Sequence, residues 1–414
     1  MEVGLTRARR LRLADSGRGA RRCDAGHYAR SMSPMSTSPQ PARPDQPSTP
    51  FYAVIPAGGA GTRLWPLSRA DEPKFLHDLT GSGRSLIQAT VDRVTPLTVP
   101  DGVVVVTGTA HAPKIAAQLP DLPAANILTE TSPRDSMAAI GLAAAVLQER
   151  HGDVVLGSFA ADQVIAGRDA FEQAVREGIA AAEEGYVVTI GIAASRPSTA
   201  FGYIHGGQPL GLAGAPSARH VLGFTEKPDA LTAQRYLATG EYRWNAGMFI
   251  TRSSVLLGHL AEQRPELHDG LRTIAKAWDT PERDEVVARV WPALEKIAID
   301  HAVAEPVAAQ GGVVVVPGTF GWDDVGDFNS LAALLPSEDG SGSKVLGDPG
   351  LVVRVQSAGS VVVPGGKRVV TVLGLDDVVV VDTPDAILVT TRARAQQVKD
   401  IVTELRERGL DELL

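Results

Sequence analysis

Short runs rich in valine and isoleucine alternate with helical patterns from Phe51 onward, and this alternation restricts the fold more than any other feature. The runs are FYAVIP, GVVVVTG, NILT, DVVLGSF and YVVTIGI, and the helical patterns between them cover residues 85–94, 134–149 and 169–183. Strands that alternate with helices usually form a mostly parallel sheet with helices on both faces. The sequence therefore predicts an α/β domain.

Composition divides the chain into three parts. Residues 1–48 are rich first in arginine and then in serine and proline, which is typical of a disordered extension. Residues 49–335 carry the α/β pattern and are most helical between 229 and 310. After a linker near 336–344, residues 345–414 contain short strands broken by glycine and proline, and a charged helix at about 392–408. We expect this last part to be a small β-rich domain.

The first thirty residues hold eight arginines against three acidic side chains. That composition is compatible with a transit peptide, but the sequence favours a floppy extension or a start codon assigned too far upstream. Met32 and Met35 are the plausible true starts. The segment has no apolar core, so we do not expect a secretory signal.

The rest of the chain is acidic. It carries a net charge of −13, because the whole chain has −8 and residues 1–30 have +5. We do not expect a nucleic-acid partner, since binding to phosphate backbones needs clustered lysine and arginine. No run of eighteen apolar residues occurs, so no membrane partner is expected either. Cys23 is the only cysteine, which rules out an intrachain disulfide and fits a cytoplasmic protein.

A glycine-rich loop, GGAGTR at residues 58–63, follows the first strand. Such glycines let the backbone approach a polyphosphate and direct N–H groups toward it. The loop lacks the GK ending of a Walker loop, and Leu64 stands where a dinucleotide fingerprint needs glycine, which argues against a dehydrogenase. A simple tight turn is the alternative. Arg63 and Lys74 favour phosphate binding, because two cations could flank a triphosphate.

The segment AGGAGTRLWPLSR, with PKF after it, resembles the signature of the sugar-1-phosphate nucleotidylyltransferases. The segments TSPRDSMAAI, GSFAADQVI, TAFGYI, GFTEKPD, WNAGMFI, AIDHAVAE and GWDDVGDF follow in that family's order, so the similarity covers about residues 51–390. Within the family, the tryptophan of TRLWPLSR and the PRD of the second segment resemble the branch whose members transfer GMP from GTP to mannose 1-phosphate. The resemblance therefore favours that branch. The sequence departs from the family's pattern at two positions. Lys74 is followed directly by Phe75, where the family usually has a glutamine between lysine and phenylalanine, and Gln163 follows Asp162, where the family often has histidine.

The resemblance implies a Rossmann-like nucleotidyltransferase domain with assigned site residues. Those implied to bind the nucleotide are Gly58, Gly59, Gly61, Thr62, Arg63, Arg134 and Asp135, of which Arg134 and Asp135 lie in the segment implied to read the base. Those implied to bind the sugar phosphate are Gly202, Tyr203, Glu226, Lys227 and Asn245. The catalytic candidates are Arg63, Lys74 and Asp162. Each has a plainer alternative in a turn, a helix cap or a solvated surface; Asp135, for example, lies three residues after Ser132 and could complete a helix N-terminal box.

The implied reaction is attack of a sugar-phosphate oxygen on the α-phosphorus of GTP. A phosphomonoester is mostly dianionic near neutral pH, so we expect no general base and no catalytic histidine. Cations must instead hold the charge that develops. Mg²⁺ prefers oxygen ligands, and its expected ligands are Asp162, after an apolar strand, and Asp324, in GWDDVG.

Several alternatives stay open at this point. The substrates could be another sugar 1-phosphate or another nucleoside triphosphate, or the chain could be a non-catalytic relative that binds a nucleotide-sugar and regulates a partner. Retention of the charged residues favours an enzyme. The roughly seventy residues after the linker are too few for the isomerase domain that some relatives carry. That C-terminal region is instead a candidate for contact in a homodimer.

Overall fold

A nine-stranded mixed sheet forms the centre of the computed structural model, which describes residues 49–337 and 340–414. The first eleven strands are β1 Phe51–Ala57, β2 Val103–Gly108, β3 Ile127–Glu130, β4 Val155–Ser158, β5 Val164–Ala166, β6 Val187–Ala193, β7 Tyr203–Pro209, β8 Arg219–Thr225, β9 Tyr242–Arg252, β10 Val313–Gly318 and β11 Gly321–Asp323. The large sheet has the order β3-β2-β1-β4-β9-β6-β10-β8-β7, and β5 pairs with β11. The predicted disorder of residues 1–48 lies outside the described residues.

The α/β fold class is confirmed, and the sheet has a parallel part and a mostly antiparallel part, in which β10 nonetheless runs parallel to β6. β1 runs parallel to β2 and β4, and β2 runs parallel to β3. β9 runs antiparallel to β4 and β6, while β7 and β8 form an antiparallel pair. The carboxyl ends of β1, β2, β3 and β4 consequently meet at one edge of the sheet, which is where open α/β sheets bind ligands.

Helices pack on both faces of the sheet. They are α1 Leu86–Val94, α2 Ala112–Gln118, α3 Asp135–His151, α4 Arg168–Glu183, α5 Ala230–Thr239, α6 Ser253–Gln263, α7 Pro265–Ala277, α8 Arg283–Val290, α9 Glu305–Ala309 and α10 Phe328–Leu334. Val54 and Val104 belong to a hydrophobic cluster with α3, α6 and α7, whereas Ala53 and Val103 belong to a cluster with α1 and α4. Successive strand residues point to opposite faces, so buried strands read as continuous apolar runs. Among the described helices, none is long and apolar enough to cross a membrane.

The expected start of α3 is wrong. The sequence pattern placed a helix N-terminal box at Ser132, but α3 begins at Asp135 with Arg134 as its N-cap and no side-chain cap. The Ser132 carbonyl instead accepts a hydrogen bond from Trp291 Nε1 at 2.8 Å. Asp135 has a φ of 68°, so the chain turns sharply where the implied base-reading segment enters the helix.

The segment 229–310 is helical, as expected, but not throughout. It contains α5 to α9, and it also contains β9, an eleven-residue strand at the centre of the sheet. A π-helix, Asp300–Ala304, precedes α9. Single turns of π-helix are rare and occur often at functional sites.

Six short strands and a closing helix follow α10, so the β-rich C-terminal region is confirmed. They are β12 Lys344–Val345, β13 Val352–Val355, β14 Val361–Pro364, β15 Val370–Leu373, β16 Val378–Asp382, β17 Ile387–Thr391 and α11 Val398–Glu407. Buried side chains of β14 and β16 share one hydrophobic cluster with Leu64 and Trp65, which follow the glycine-rich loop. The expected division into domains 49–335 and 345–414 stays a prediction.

Gly178 of α4 tests the packing of helix on sheet. A Cβ at this position would lie 2.5 Å from Ile250 Cδ1, and Ile250 is fully buried in β9. We expect Gly178→Ala to lower the free energy of unfolding by about 1–3 kcal/mol, because the crowded core cannot yield. Gly258→Ala in α6 is the matched control: nothing lies within 4 Å of its Cβ position, and alanine favours helix, so stability should rise slightly. Denaturant titration measures both, and equal effects would contradict the packing account.

Candidate active site

The glycine-rich loop lies at the carboxyl end of β1. Gly59 and Gly61 have φ values of 87° and 66°, which side chains other than glycine rarely adopt. A Cβ at Gly61 would also lie 3.0 Å from Lys74 Cγ. Glycine at position 61 therefore serves both the turn of the loop and the close passage of the Lys74 side chain.

Lys74 joins three segments that are far apart in the sequence. Its Nζ lies 2.8 Å from Asp162 Oδ2 and donates a hydrogen bond to the Asp324 carbonyl at 2.7 Å. The Lys74 side chain is only 11% exposed, so its charge is less screened than that of a surface lysine. The structure thus brings together Lys74, Asp162 and Asp324, which the sequence predicted as parts of one site.

Asp162 and Asp324 are close enough for each charge to affect the other. Burial raises the pKa of Asp324, the charge of Lys74 opposes that rise, and the charges of Asp323 and Asp162 add to it. Neighbouring carboxylates favour the arrival of a cation, and hard divalent cations prefer oxygen ligands. Within the described residues there is no group of three side chains able to hold a metal. The two aspartates are therefore a partial ligand set that fits an ion also held by substrate and water.

Arg63 lies in the short 3₁₀ turn Thr62–Leu64 at the end of the loop. Its guanidinium is half-buried and forms no hydrogen bond or ion pair with any residue that the structure describes. A guanidinium presents paired donors that match an oxyanion. Arg63 is consequently available to bind phosphate beside the loop, in contrast to Lys74, whose Nζ already has protein partners.

A cavity of about 370 Å³ opens between the loop and the start of α3. Its lining includes Gly58, Gly59, Glu130, Pro133, Asp135, Ser136, Asp162 and Lys296. A larger cavity of about 560 Å³ lies elsewhere, beside α1 and β2, and contains none of the predicted residues. The smaller cavity is the candidate for the nucleotide, because the loop and the implied base-reading segment both line it.

The two side chains that the sequence assigned to the base are already engaged within the protein. Asp135 Oδ1 accepts a hydrogen bond from the Ser136 backbone N–H at 3.1 Å, and Arg134 donates to the Pro292 carbonyl. Asp135 is exposed although it lines the cavity. The Asp135 side chain therefore lacks the free, buried polar atoms that selective base recognition needs, whereas Arg134 keeps one buried nitrogen, Nε, without a hydrogen-bond partner among the described residues.

Glu130 has those properties, and the sequence analysis missed it. It ends β3, is 8% exposed, and places Oε1 3.7 Å from the position of a Cβ at Gly58. Its carboxylate has no protein partner among the described residues, and burial raises its pKa to about 7. A buried acid with a strongly raised pKa in a cleft is typical of functional sites. The only signal in the sequence is an acidic residue at the end of an apolar strand, NILTE.

The predicted sugar-phosphate residues form a second group. Lys227 Nζ lies 2.8 Å from Glu226 Oε1. A Cβ at Gly202 would lie 2.4 Å from Glu226 Oε2 and 3.2 Å from Asn245 Cβ, so only glycine leaves room for these side chains. Tyr203 is fully buried, and its hydroxyl accepts a hydrogen bond from the Ser198 N–H at 2.9 Å.

Asp300 is a further member of this group that the sequence analysis did not single out, although the segment AIDHAVAE contains it. Asn245 Nδ2 donates to Asp300 Oδ1 at 2.7 Å, while Asn245 Oδ1 accepts from Thr189 Oγ1 at 2.9 Å. Burial, assisted by the charge of Glu226, raises the pKa of Asp300 to about 6. The π-helix Asp300–Ala304 starts at this residue, a feature that sequence patterns do not reveal.

Lys227 connects the two groups electrostatically. Partial burial lowers its pKa, but the carboxylates of Glu226, Asp300 and Asp135 together raise it. Asp135 lines the nucleotide-side cavity and Asp300 contacts Asn245. The charges of both groups therefore act on Lys227.

The site therefore combines a glycine-rich loop, an arginine without a partner among the described residues, and a lysine between the Asp162 carboxylate and the Asp324 carbonyl, an arrangement that suits a phosphate-linked nucleotide. The chain belongs to the nucleotidyl transferase family, whose model matches residues 52–338. Residues 350–405 match a second model, the MannoseP isomerase/GMP-like beta-helix domain. The resemblance noted in the sequence is thereby confirmed.

Similar proteins narrow this class further. The chain is 39% identical over 366 residues to the xanthan biosynthesis protein XanB of Xanthomonas campestris pv. campestris, covering 87% of this chain and 74% of that protein. It is 36% identical over 369 residues to the mannose-1-phosphate guanylyltransferase of Escherichia coli K12, covering 87% and 75%. A crystal structure from Thermus thermophilus, described as a mannose-1-phosphate geranyltransferase, matches with a TM-score of 0.74 at 32% identity and covers 86% of this chain and 99% of that chain.

The raised pKa of Glu130 predicts how the stability of the fold depends on pH. Its pKa rises from 4.5 to about 7 on folding, so the folded state retains a proton that the unfolded chain releases between those pH values. Glu130 therefore destabilises the fold progressively as pH rises through that window. We expect Glu130→Gln to raise the free energy of unfolding by about 2–3 kcal/mol more at pH 8 than at pH 5. Denaturant titrations at both pH values measure this, and an equal effect at both would contradict it.

Proposed function

We propose that this chain transfers GMP from GTP to α-D-mannose 1-phosphate and releases GDP-mannose and pyrophosphate. The observation that carries the proposal is the Lys74–Asp162–Asp324 centre beside the glycine-rich loop. Curated relatives at 34–36% identity over most of the chain bear the name mannose-1-phosphate guanylyltransferase, which supports this choice of substrates. The proposed setting is the cytoplasm.

The proposed mechanism needs positioning and charge stabilisation, without a general base. A mannose 1-phosphate oxygen forms a bond to the α-phosphorus of GTP, while the bond to the pyrophosphate oxygen breaks in line with it. The attacking phosphate is already mostly dianionic at neutral pH. The backbone N–H groups of residues 58–62 would hold the triphosphate, and Arg63 and Lys74 would stabilise charge at the α-phosphorus and on the departing pyrophosphate.

We further propose Mg²⁺ as the metal, with the carboxylates of Asp162 and Asp324 as its protein ligands. The ion would supply charge neutralisation for the phosphates of the two substrates. The proposal is supported by the Lys74 ammonium, which contacts the Asp162 carboxylate and the backbone carbonyl of Asp324, and by the effect of the Asp162 charge on the pKa of Asp324.

Glu130 is the proposed reader of guanine. Guanine presents N1–H and an N2 amino group on its Watson–Crick edge, and a carboxylate can accept both hydrogen bonds. The Glu130 carboxylate is buried, lines the nucleotide-side cavity and lacks a protein partner among the described residues. Asp135 would then shape the pocket, and Arg134, which donates through Nη2 to the Pro292 carbonyl, would have only its unpaired Nε left for the base.

On the other side of the cleft, Glu226 and Asp300 would accept hydrogen bonds from mannose hydroxyls, and Lys227 would pair with the sugar phosphate. Gly202 and the backbone of Tyr203 would line this pocket. Asn245 would orient Asp300, because its amide nitrogen donates to that carboxylate. Lys227 is 64% exposed along its side chain, so it can leave Glu226 and follow the phosphate.

A homodimer through the C-terminal region is part of the proposal. Val353, Val355 and Leu373, on the paired strands β13 and β15, are 48%, 50% and 71% exposed. Apolar side chains exposed together favour a protein contact. Sedimentation that shows only monomer at micromolar concentrations would remove this part of the proposal.

Pyrophosphate release by purified protein tests the proposed reaction. The protein, Mg²⁺ and GTP would be combined with mannose 1-phosphate, and parallel reactions would contain other nucleoside triphosphates or sugar 1-phosphates. Release confined to the GTP and mannose 1-phosphate pair is the expected result. Release with a different pair would show that the proposed substrates are wrong, but it would leave the proposed mechanism intact. No release from folded protein with any pair would favour a relative that only binds nucleotide-sugar.

Asp162→Asn tests the mechanism without a base. We expect kcat to fall about 100-fold or more, because one charged ligand of the metal and the partner of Lys74 are both lost. His301→Ala is the comparison, since His301 lies beside the sugar side, 2.9 Å from Glu305; it should cost less than about tenfold. Steady-state pyrophosphate release measures kcat, and an equal loss for His301→Ala would contradict the mechanism.

Glu130→Gln tests base recognition. Inosine triphosphate lacks the 2-amino donor of GTP, so the wild-type protein should prefer GTP, and Glu130→Gln should reduce that preference about tenfold or more. The ratio of kcat/KM for GTP to kcat/KM for inosine triphosphate measures the preference. Asp135→Asn is the matched variant, which should retain the wild-type ratio. Loss of the preference in Asp135→Asn alone would assign base recognition to Asp135 instead.

A further inference from the structure

The segment TRLWPLSR reaches beyond the phosphate loop to the C-terminal region. Trp65 Nε1 donates to the Leu413 carbonyl at 2.7 Å, and Arg69 Nη1 donates to the same carbonyl at 2.5 Å. Arg69 Nη2 lies 2.8 Å from Asp385 Oδ1. We call Trp65, Arg69, Asp385 and Leu413 the loop clamp, because their contacts join segments more than 300 positions apart.

Trp65 and Arg69 are fixed as one unit. The Arg69 guanidinium lies over the Trp65 ring, 5.6 Å from its centroid, and Arg69 Nε donates to the Pro66 carbonyl at 3.0 Å. Trp65 is 6% exposed and belongs to the same hydrophobic cluster as Val398 and Val402 of α11. Apolar packing and hydrogen bonds to charged groups thus act on the same two side chains.

Trp65 of the loop clamp, and its neighbours Leu64 and Ser68, form hydrogen bonds with the glycine-rich loop. The Trp65 backbone N–H donates to the Thr62 carbonyl, and the Leu64 N–H donates to the Gly61 carbonyl at 2.9 Å. Ser68 Oγ also donates to the Gly61 carbonyl, at 2.6 Å. The shape of residues 61–64, and with it the direction of Arg63, therefore depends on what holds Trp65 and Arg69.

Arg69 differs from Arg63 in the use of its guanidinium. All three Arg69 nitrogens donate to protein atoms, and its side chain is 12% exposed. Arg63 has no such partner among the described residues. Arg69 is therefore suited to hold the loop, and Arg63 is suited to bind a ligand.

We propose that Trp65 and Arg69 are positioning residues, through which the C-terminal region holds the glycine-rich loop in its phosphate-binding shape. A loop that is ordered before binding loses less conformational freedom when the nucleotide arrives. The C-terminal region thus contributes to the affinity for the nucleoside triphosphate, although it does not line the nucleotide-side cavity. This inference rests on the proposed function for the identity of the nucleotide only.

Arg69→Ala in the full chain tests the inference. The KM for GTP should rise about tenfold, as expected for loss of a hydrogen bond to a charged group, while the KM for mannose 1-phosphate stays within about twofold. A purely structural role would lower the folded fraction, which reduces the maximal rate and leaves both KM values unchanged. Equal changes in both KM values, or a change in the maximal rate alone, would overturn the inference.

Three further variants sharpen the test. Trp65→Phe keeps the ring but removes the indole donor, and Asp385→Asn removes one partner of Arg69, so each should raise the KM for GTP by less than Arg69→Ala. Arg408→Ala is the matched control: Arg408 is an exposed arginine just after α11, paired with Glu404 and outside the clamp. A rise in the KM for GTP in Arg408→Ala as large as in Arg69→Ala would overturn the assignment to the clamp.

Hydrogen exchange separates failure of this inference from failure of the proposed function. Arg69→Ala should speed amide exchange in residues 58–64 and leave exchange in the strands of the large sheet unchanged, with or without any enzymatic activity. If the wild-type protein makes no GDP-mannose but this local change occurs, the positioning inference stands and the proposed substrates are wrong. Unchanged exchange at residues 58–64 would overturn the inference itself.

Discussion

The buried ammonium of Lys74 is the contact on which the geometry of the site depends. It lies between the Asp162 carboxylate and the Asp324 carbonyl, at the edge where the parallel strands of the sheet end. Without this charge, the half-buried carboxylates of Asp162 and Asp324 would repel each other with less compensation. Because the Lys74 side chain passes over Gly61, the same residue also ties the phosphate loop to the aspartates. One cation therefore links the glycine-rich loop to the two aspartates.

The charged side chains of the site differ in the contacts that they make, and these differences suit a reaction between two polyanions. Arg63 is free of described partners, Lys74 is bridged and Lys227 is paired with Glu226. Glu130 and Asp300 are buried acids whose pKa values burial raises, so both carry a cost to the fold. Such costs are typical of positions that bind substrate. The protein is acidic overall, yet Arg63, Lys74 and Lys227 lie where phosphates are proposed to bind.

The sequence predicts the fold well because apolar periodicity follows from burial of the strands on both faces, as in β1 and β2. It predicts Lys74, Asp162 and Asp324 because they lie in recognisable motifs. It does not reveal Glu130 or Asp300, since the burial of an acid depends on distant segments and on a π-helix. The predicted N-terminal box of α3 is wrong for a related reason. Trp291, 159 positions away, donates a hydrogen bond to the Ser132 carbonyl. Local patterns do not contain such tertiary contacts.

The nucleotide phosphates and a divalent ion are proposed to meet at Lys74, Asp162 and Asp324. The most direct test is an anomalous scattering map of crystals grown with GDP-mannose and Mn²⁺ as a probe for the metal. We expect one strong manganese peak that contacts both aspartates and the diphosphate, with Lys74 turned from Asp162 toward a phosphate oxygen. A diphosphate bound away from the glycine-rich loop, or a manganese peak that touches neither aspartate, would contradict this arrangement.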